Sequence, residues 1–412
     1  MCMKNGQRCR IVSWCLFDFA NSSYSAVIAA VVFQVYFITT IAGNAGGSGD
    51  LWWGRAVSLS MAVVALTSPL LGGIADFGGF RKRLLMAYSV LCILSVAGFS
   101  VLVPGSVAAG FLLIVLANIG MEGGLVFYNS FLPEIAHREI QGRVSAWGYG
   151  VGYTGSIISL LAALFLVRQG RFQETWLMVS LFFLVFSLPA FVALPGDRSA
   201  PMRFREAAGR GFGYTVRTLR ELVRVRDLRL FLAAYFLYED GVNTVIIFSS
   251  SFAATTLGFG NEELIGLYLM VQATASAGAF VMAKPIDAWG PKRVVLLSLA
   301  LWTSVTVAAF FIREKQTYWA VACIAGLGLG TVQAASRAFF SQFIPDNRES
   351  EYFGVYSLVG KSSAILGPLV FGQLSSVFGS QRPAILAISL FFLAGFLLLL
   401  PVRGGGPNIV TQ

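Results

Sequence analysis

Long apolar runs broken by short polar segments recur along the whole chain. Their approximate cores are residues 12–41, 56–75, 84–103, 107–131, 144–166, 175–194, 230–256, 264–286, 294–312, 317–341, 354–378 and 384–401. A helix needs about 20 such residues to cross roughly 30 Å of hydrocarbon, and these runs have that length. They lack the period-two alternation of a membrane barrel. The pattern therefore predicts an all-α membrane protein of twelve transmembrane helices. Its longest polar interruption divides them six and six: an N-terminal bundle over 1–194, a basic linker over 195–229 and a C-terminal bundle over 230–412.

Composition agrees with lipid as the solvent. Of 412 residues 56% are hydrophobic and only 12% charged, about half the charged share of a soluble domain. The first run resembles a signal peptide in position only. It is too long, and Asp18 and Asn21 interrupt it, so a retained helix is expected. The five cysteines (Cys2, Cys9, Cys15, Cys92, Cys323) have no metal-binding spacing, and the single His137 falls in an expected loop. No metal, cofactor or catalytic constellation is implied.

The net charge of +10 would suit nucleic acid if it were clustered, but it alternates by loop. Lys4, Arg8 and Arg10, then Arg81, Lys82 and Arg83, then Arg138 and Arg143, then Lys292, Arg293 and Arg348 mark one side; Arg55, Arg168, Arg171, Arg313, Lys315 and Arg382 are all that mark the other. Cytoplasmic loops carry the Lys/Arg excess, which places both termini in the cytoplasm. The charge is thus a topology signal, and nucleic-acid binding is not expected. The linker holds Arg198, Arg203, Arg205, Arg210, Arg217, Arg220, Arg224, Arg226 and Arg229. Its helical period from Ala207 to Val225 suits anionic lipid of the inner leaflet, and a solvated linker accounts for it equally.

The halves repeat one another. Asp18 and Asn21 correspond to Asp240 and Asn243. Asp76-Phe-Gly-Gly79-Phe-Arg81-Lys82 corresponds to Asp287-Ala-Trp-Gly290-Pro-Lys292-Arg293, 211 residues on. Phe131-Leu-Pro133-Glu134 corresponds to Phe343-Ile-Pro345-Asp346, and Gly142, Gly148 and Gly155 to Gly354, Gly360 and Gly367, all 212 residues apart. The first pair is 222 apart, which a longer glycine-rich first loop (Gly43 to Asp50) would explain. Four ordered matches at a nearly constant offset indicate duplication.

Parallel six-helix repeats are the plan of major facilitator transporters, whose substrate site lies near the midplane. Gly72, Asp76, Gly79 and Arg81 match that superfamily's G-x-x-x-D-R-x-G-R-K signature, while Phe77 and Phe80 replace two basic positions. The Asp is suited to accept from a helix N-terminus or to pair with an Arg, closing the cytoplasmic side. More specifically, Trp14-Cys-Leu-Phe-Asp18-Phe-Ala-Asn21-Ser-Ser-Tyr24, Tyr128-Asn129-Ser-Phe-Leu-Pro133-Glu134-Ile, Gly142-Arg143-Val-Ser145 and Tyr238-Glu-Asp240-Gly241-Val-Asn243 resemble motifs of the vacuole effluxer family, the autophagy-related amino acid exporters and their bacterial relatives. The resemblance implies transport of small nutrients, amino acids among them, by a carrier of major facilitator fold. The short tails favour a bacterial plasma membrane, and a monomer surrounded by lipid is expected.

Helices three, six, nine and twelve carry no internal charge, which suits the lipid-facing periphery. Polar residues gather on four others: Asp18 and Asn21; Asn118, Glu122 and Asn129; Glu239, Asp240 and Asn243; Gln333 and Arg337. A charge at the bilayer centre costs about 2.5–3.5 kcal/mol even on a lenient scale, so these residues are expected to face water or one another. Asp18, Glu122 and Asp240 are candidate proton carriers or partners of a substrate amine. Arg337 is a candidate partner for an acid or a substrate carboxylate, and a structural intramembrane pair is the plainer alternative. Asp76, Gly79, Arg81, Lys82, Glu134, Arg143, Asp287, Gly290, Lys292, Arg293 and Asp346 are expected at the cytoplasmic gate, with Glu134 beside Arg143 and Asp346 beside Arg348. Lys361 is expected to be structural. An enzyme lacks a nucleophile and base, a channel lacks a ring of equivalent groups, and an ATP-driven pump lacks a P-loop. The expected function is secondary active transport of a small solute by alternating access, in the direction of efflux, with protons as the candidate coupling ion. The alternative is a transport-inactive receptor or scaffold on the same fold.

Overall fold

A computed structural model describes residues 5–43, 48–197, 220, 224–364 and 366–403. Cys2, the linker arginines Arg198, Arg203, Arg205, Arg210 and Arg217, and nearly all of the expected helix from Ala207 to Val225 lie outside the described residues. Among the described residues the regular structure is entirely helical. Eleven helices are long and apolar enough to cross a membrane, and a bent pair makes a twelfth. We number them α1 (Gly6–Val31 with Phe33–Ile41, bent by 41°), α2 (Leu51–Gly78), α3 (Arg81–Val101), α4 (Val107–Ile135), α5 (Arg138–Arg168), α6 (Phe172–Ala193), α7 (Arg226–Ala254), α8 (Glu263–Trp289), α9 (Pro291–Phe311), α10 (Lys315–Ser341), α11 (Glu349–Phe378) and α12 (Gln381–Leu399). Most outrun the apolar cores that predicted them. Helical hydrogen bonding continues into the polar flank after the hydrocarbon pattern stops, so hydropathy underestimates the ends.

Two compact units emerge. Unit 1 comprises Met1–Ala136, Val151–Val216 and Asp346–Val355; unit 2 comprises His137–Gly150, Arg217–Pro345 and Tyr356–Gln412. Each therefore takes in a short segment of the opposite sequence half, the start of α11 in unit 1 and the start of α5 in unit 2. Within unit 1, α3 packs on α4, α2 on α4, α1 on α6 and α3 on α6. Within unit 2 the same pairs recur six helices later: α9 on α10, α8 on α10, α7 on α12 and α9 on α12.

Small residues permit the closest approaches. A Cβ at Gly155 of α5 would strike the carbonyl of Phe19 on α1, and one at the matching Gly367 of α11 would strike Thr244 on α7. Gly155 thus brings two helix backbones into direct contact, while Gly367 brings the α11 backbone onto side chains of α7.

α1 departs from regularity. Tyr24–Val31 and Phe37–Ile41 are wound as π-helix, with i→i−5 bonds such as Val32 N–H to the Val27 carbonyl at 3.0 Å and Ala42 N–H to Phe37 at 2.8 Å. From Asp18 to Ile41, where α1 ends, is 23 residues; from Asp240 to Leu257, where helical winding ends three residues beyond the apolar span of α7, is 17. Six of the surplus residues of the first repeat thus lie inside the helix. The longer first loop explains only the remainder.

Candidate functional site

Four polar clusters organise the two units, and two of them grow from the repeated D-x-x-G turn. Gly79 and Gly290 sit at φ 69° and 87°, where an L side chain is strained, so each turn requires its glycine. In unit 1, Arg81 follows that turn with its side chain only 9% exposed. Its guanidinium donates to Asp76 (3.0 Å), Glu134 (2.9 Å) and Glu349 (2.6 Å), to Ser350 Oγ (3.0 Å) and to the Ser130 carbonyl (3.3 Å). The second oxygen of Asp76 accepts from the N–H of Glu351 at 2.8 Å, in the first turn of α11. In unit 2, Asp287 accepts from the N–H of Arg143 at 3.0 Å and pairs with its side chain at 3.3 Å. Each repeat's aspartate therefore receives a backbone N–H from the opening turns of a helix of the other repeat, where the dipole favours a carboxylate.

Several expected gate residues take other places. Glu134 pairs with Arg81 and Arg143 with Asp287, not with each other, because the end of α4 lies against the α2–α3 turn. Arg348 pairs with Glu351 (3.0 Å), three residues ahead in the first helical turn, while Asp346 is exposed before the left-handed Asn347. Lys82 donates to the carbonyls of Val192, in the last turn of α6, and of Leu194, just past it, and Lys292 to Leu400 past the end of α12. These two cations neutralise helix C-termini inside their own repeats. Arg293 is exposed.

The third cluster also belongs to unit 1. Trp14 stacks on Tyr128 at 4.5 Å and donates its indole N–H to the Tyr128 carbonyl at 2.9 Å, fixing α1 against α4. Asp18 is buried, with the Asn21 amide at 3.5 Å from Oδ1, and its backbone faces Gly152 of α5. Tyr24 donates to the Asn118 amide oxygen at 2.7 Å, and Glu122, one turn along α4, lies within electrostatic range of Tyr24. Glu122 and Asn129 are half-buried.

The fourth cluster lies in unit 2. Glu239 is buried, and both its carboxylate oxygens accept from the Gln333 amide at 3.0 and 3.3 Å. Tyr149 of α5 donates to the Gln333 amide oxygen at 3.4 Å. Beneath it, Arg337 is 2% exposed; it donates to Ser145 Oγ (2.9 Å) and the Ser145 carbonyl (2.7 Å), and stacks on the Tyr149 ring at 4.1 Å. Lys361 lies within electrostatic range of Glu239. Asp240 turns away, fully buried, to the N–H of Gly367 on α11. Asn243 is half-buried. Tyr149 and Gln333 are also half-buried, so this cluster is partly open.

The model of a family described as "Vacuole effluxer Atg22 like" matches residues 55–404. The chain belongs to that family. Among its relatives, an uncharacterized MFS-type transporter, YxiO of Bacillus subtilis, is 27% identical over 94% of this chain and 93% of its own. Autophagy-related protein 22 of Coccidioides immitis is 23% identical over 84% and 70%. In fold the chain is similar to the human organic anion transporter MFSD10, with a TM-score of 0.77, 15% identity and coverage of 96% and 100%. It is also similar to the proton:xylose symporter XylE, with a TM-score of 0.72, 12% identity and coverage of 97% and 95%. This Atg22-like protein is thus a multi-pass membrane transporter of major facilitator fold and not an enzyme.

Sequence reasoning missed Glu349, Ser350 and Glu351 at the first turn, and Ser145 and Tyr149 in the other cluster. The signal for the first group was an acidic pair opening a helix after Pro345. Ser145 lies in one of the family-like motifs, but nothing in its neighbourhood announces a partner 192 residues away.

Proposed function

We propose that the protein is a secondary active carrier that exports a small solute, with amino acids as the substrate class, and that Glu239 is its principal recognition group. The observation that carries this is the Glu239–Gln333–Tyr149 cluster. A membrane-buried acid there is held by the neutral amide of Gln333 on α10, which Tyr149 of α5 holds in turn, and two of the three side chains remain partly accessible. An intramembrane carboxylate of this kind is costly unless it does something, and an ammonium group is the natural partner for it. The effluxer description of the family supports the outward direction, and the motif resemblance supports amino acids.

Arg337, packed under Tyr149, supports the cluster from below. Glu122 with Tyr24 and Asn118 is the candidate proton-coupling group in unit 1. The two aspartate–helix junctions are latches that open and reform during the cycle. The protein works as a monomer, with both termini and the Lys82/Arg83 and Lys292/Arg293 end in the cytoplasm of a bacterial cell.

Counterflow of labelled amino acids in proteoliposomes, with and without a pH gradient, tests the reading. Glu239→Gln is expected to reduce exchange at least about tenfold, the order of a lost charge-assisted hydrogen bond. Glu122→Gln is expected to abolish the response to the gradient while leaving exchange. Wild-type behaviour of both variants would remove the acids from the mechanism. Equal metabolite pools in cells lacking and overproducing the protein would remove the carrier function itself.

A further inference from the structure

We propose that Asp240 is a positioning residue, not a proton carrier: its carboxylate caps the second half of α11 and holds the break in that helix against α7. α11 is interrupted by a turn at Ser363 and Ala364, between a helical piece that ends at Ser362 and one that begins at Leu366. The first N–H groups of a helix have no partner within it. Here the Gly367 N–H is shared by both oxygens of Asp240, at 2.9 Å each. The carboxylate is fully buried, and its charge meets the positive end of the second piece.

The surroundings are built for this contact. Thr244 donates its hydroxyl to the Asp240 carbonyl at 2.7 Å. A Cβ at Gly367 would run into that hydroxyl and come within 2.9 Å of Asp240 Oδ1, so only glycine lets the N–H reach the acid. On the other side of the break, Ser363 donates its N–H to Val359 (3.0 Å) and its hydroxyl to Gly360 (2.7 Å), which closes the first piece.

The matching acid of the first repeat provides the contrast. Asp18 also faces the glycine stripe of its partner helix α5, but that helix runs unbroken from Gln141 to Arg168. No second N-terminus is there to cap, and Asp18 instead meets Asn21. The broken helix belongs to the second repeat, where Asp240 caps its second piece. Its neighbour in sequence is the site acid: Glu239 holds Gln333 of α10 while Asp240 holds α11. Successive helical residues point about 100° apart, so one dipeptide joins the recognition cluster to the broken helix. Movement of α7 on solute binding is thereby passed to α11. That transport consequence rests on the carrier function proposed above; the capping itself does not.

Two measurements on the full-length purified protein test it: hydrogen exchange of the amides from Leu366 to Phe371, and counterflow kinetics. Asp240→Ala is expected to raise exchange about tenfold and lower turnover with KM little changed. Asp240→Asn keeps an acceptor at the same reach and is expected to stay within about threefold of wild type in both. Should Asp240→Ala not fold, Gly367→Ala displaces the N–H while leaving the acid and is expected to give the same fast exchange. Wild-type protection in Asp240→Ala or Gly367→Ala would overturn the cap. Wild-type protection in Asp240→Asn, with transport lost as in Asp240→Ala, would overturn the positioning role in favour of proton carriage. If the wild-type protein exchanges no solute, the carrier function fails, and hydrogen exchange alone decides the cap.

Discussion

Arg81 and Arg337 are both buried guanidinium groups, yet they are satisfied by different chemistry. Arg81 is ringed by three carboxylates, two of them almost wholly covered. Arg337 is held by a hydroxyl, a carbonyl and an aromatic face. Removing Arg81 would leave buried acids uncompensated, a loss on the order of 3–5 kcal/mol. Arg81→Gln is therefore expected to lower the unfolding temperature sharply, and Arg81→Lys partly, since an ammonium cannot reproduce the fork. A thermal melt followed by tryptophan fluorescence decides it; an unchanged midpoint for Arg81→Gln would show that the cluster contributes nothing to stability. Arg81 and Asp76 were legible because the signature places them five residues apart. Glu349 was not, since its partner lies 268 residues away. The repeat itself pointed instead to Asp346, which matches Glu134 by position but ends up exposed. Sequence symmetry located the turn and misjudged which acid fills it.

Among the elements, the spans were visible as apolar runs because lipid imposes their length, whereas their interruptions were not. The bend in α1 and the turn within α11 depend on hydrogen bonds that hydropathy does not report. Lys82 and Lys292 show a similar limit. As loop cations they read as orientation signals or gate groups, and each in fact closes the end of a helix in its own repeat. Lys82→Gln and Lys292→Gln are accordingly expected to cost about 0.3–1 kcal/mol each and to leave counterflow rates unaltered. A rate change without a stability change in either variant would return that lysine to the gate.

Across the whole molecule, the duplication read from matched residues reappears as matched packing: α3 on α4 and α9 on α10, α1 on α6 and α7 on α12. The proposed orientation follows from the distribution of cations and is open to direct test. In a cysteine-free background, a membrane-impermeant maleimide is expected to label Arg171→Cys in intact cells. Arg293→Cys should react only after permeabilisation; both positions are exposed. Labelling in the opposite order would invert the topology. The π-wound turns of α1 bear on how the two copies diverged. Each residue added to an α-helix rotates everything beyond it by about 100°, which would swing a buried face towards lipid. A π turn absorbs the added residue locally. Phe33, beyond the Tyr24–Val31 stretch, still stacks on Phe99 and meets the edge of Trp176. The first copy could lengthen its opening helix without losing the phase of its core.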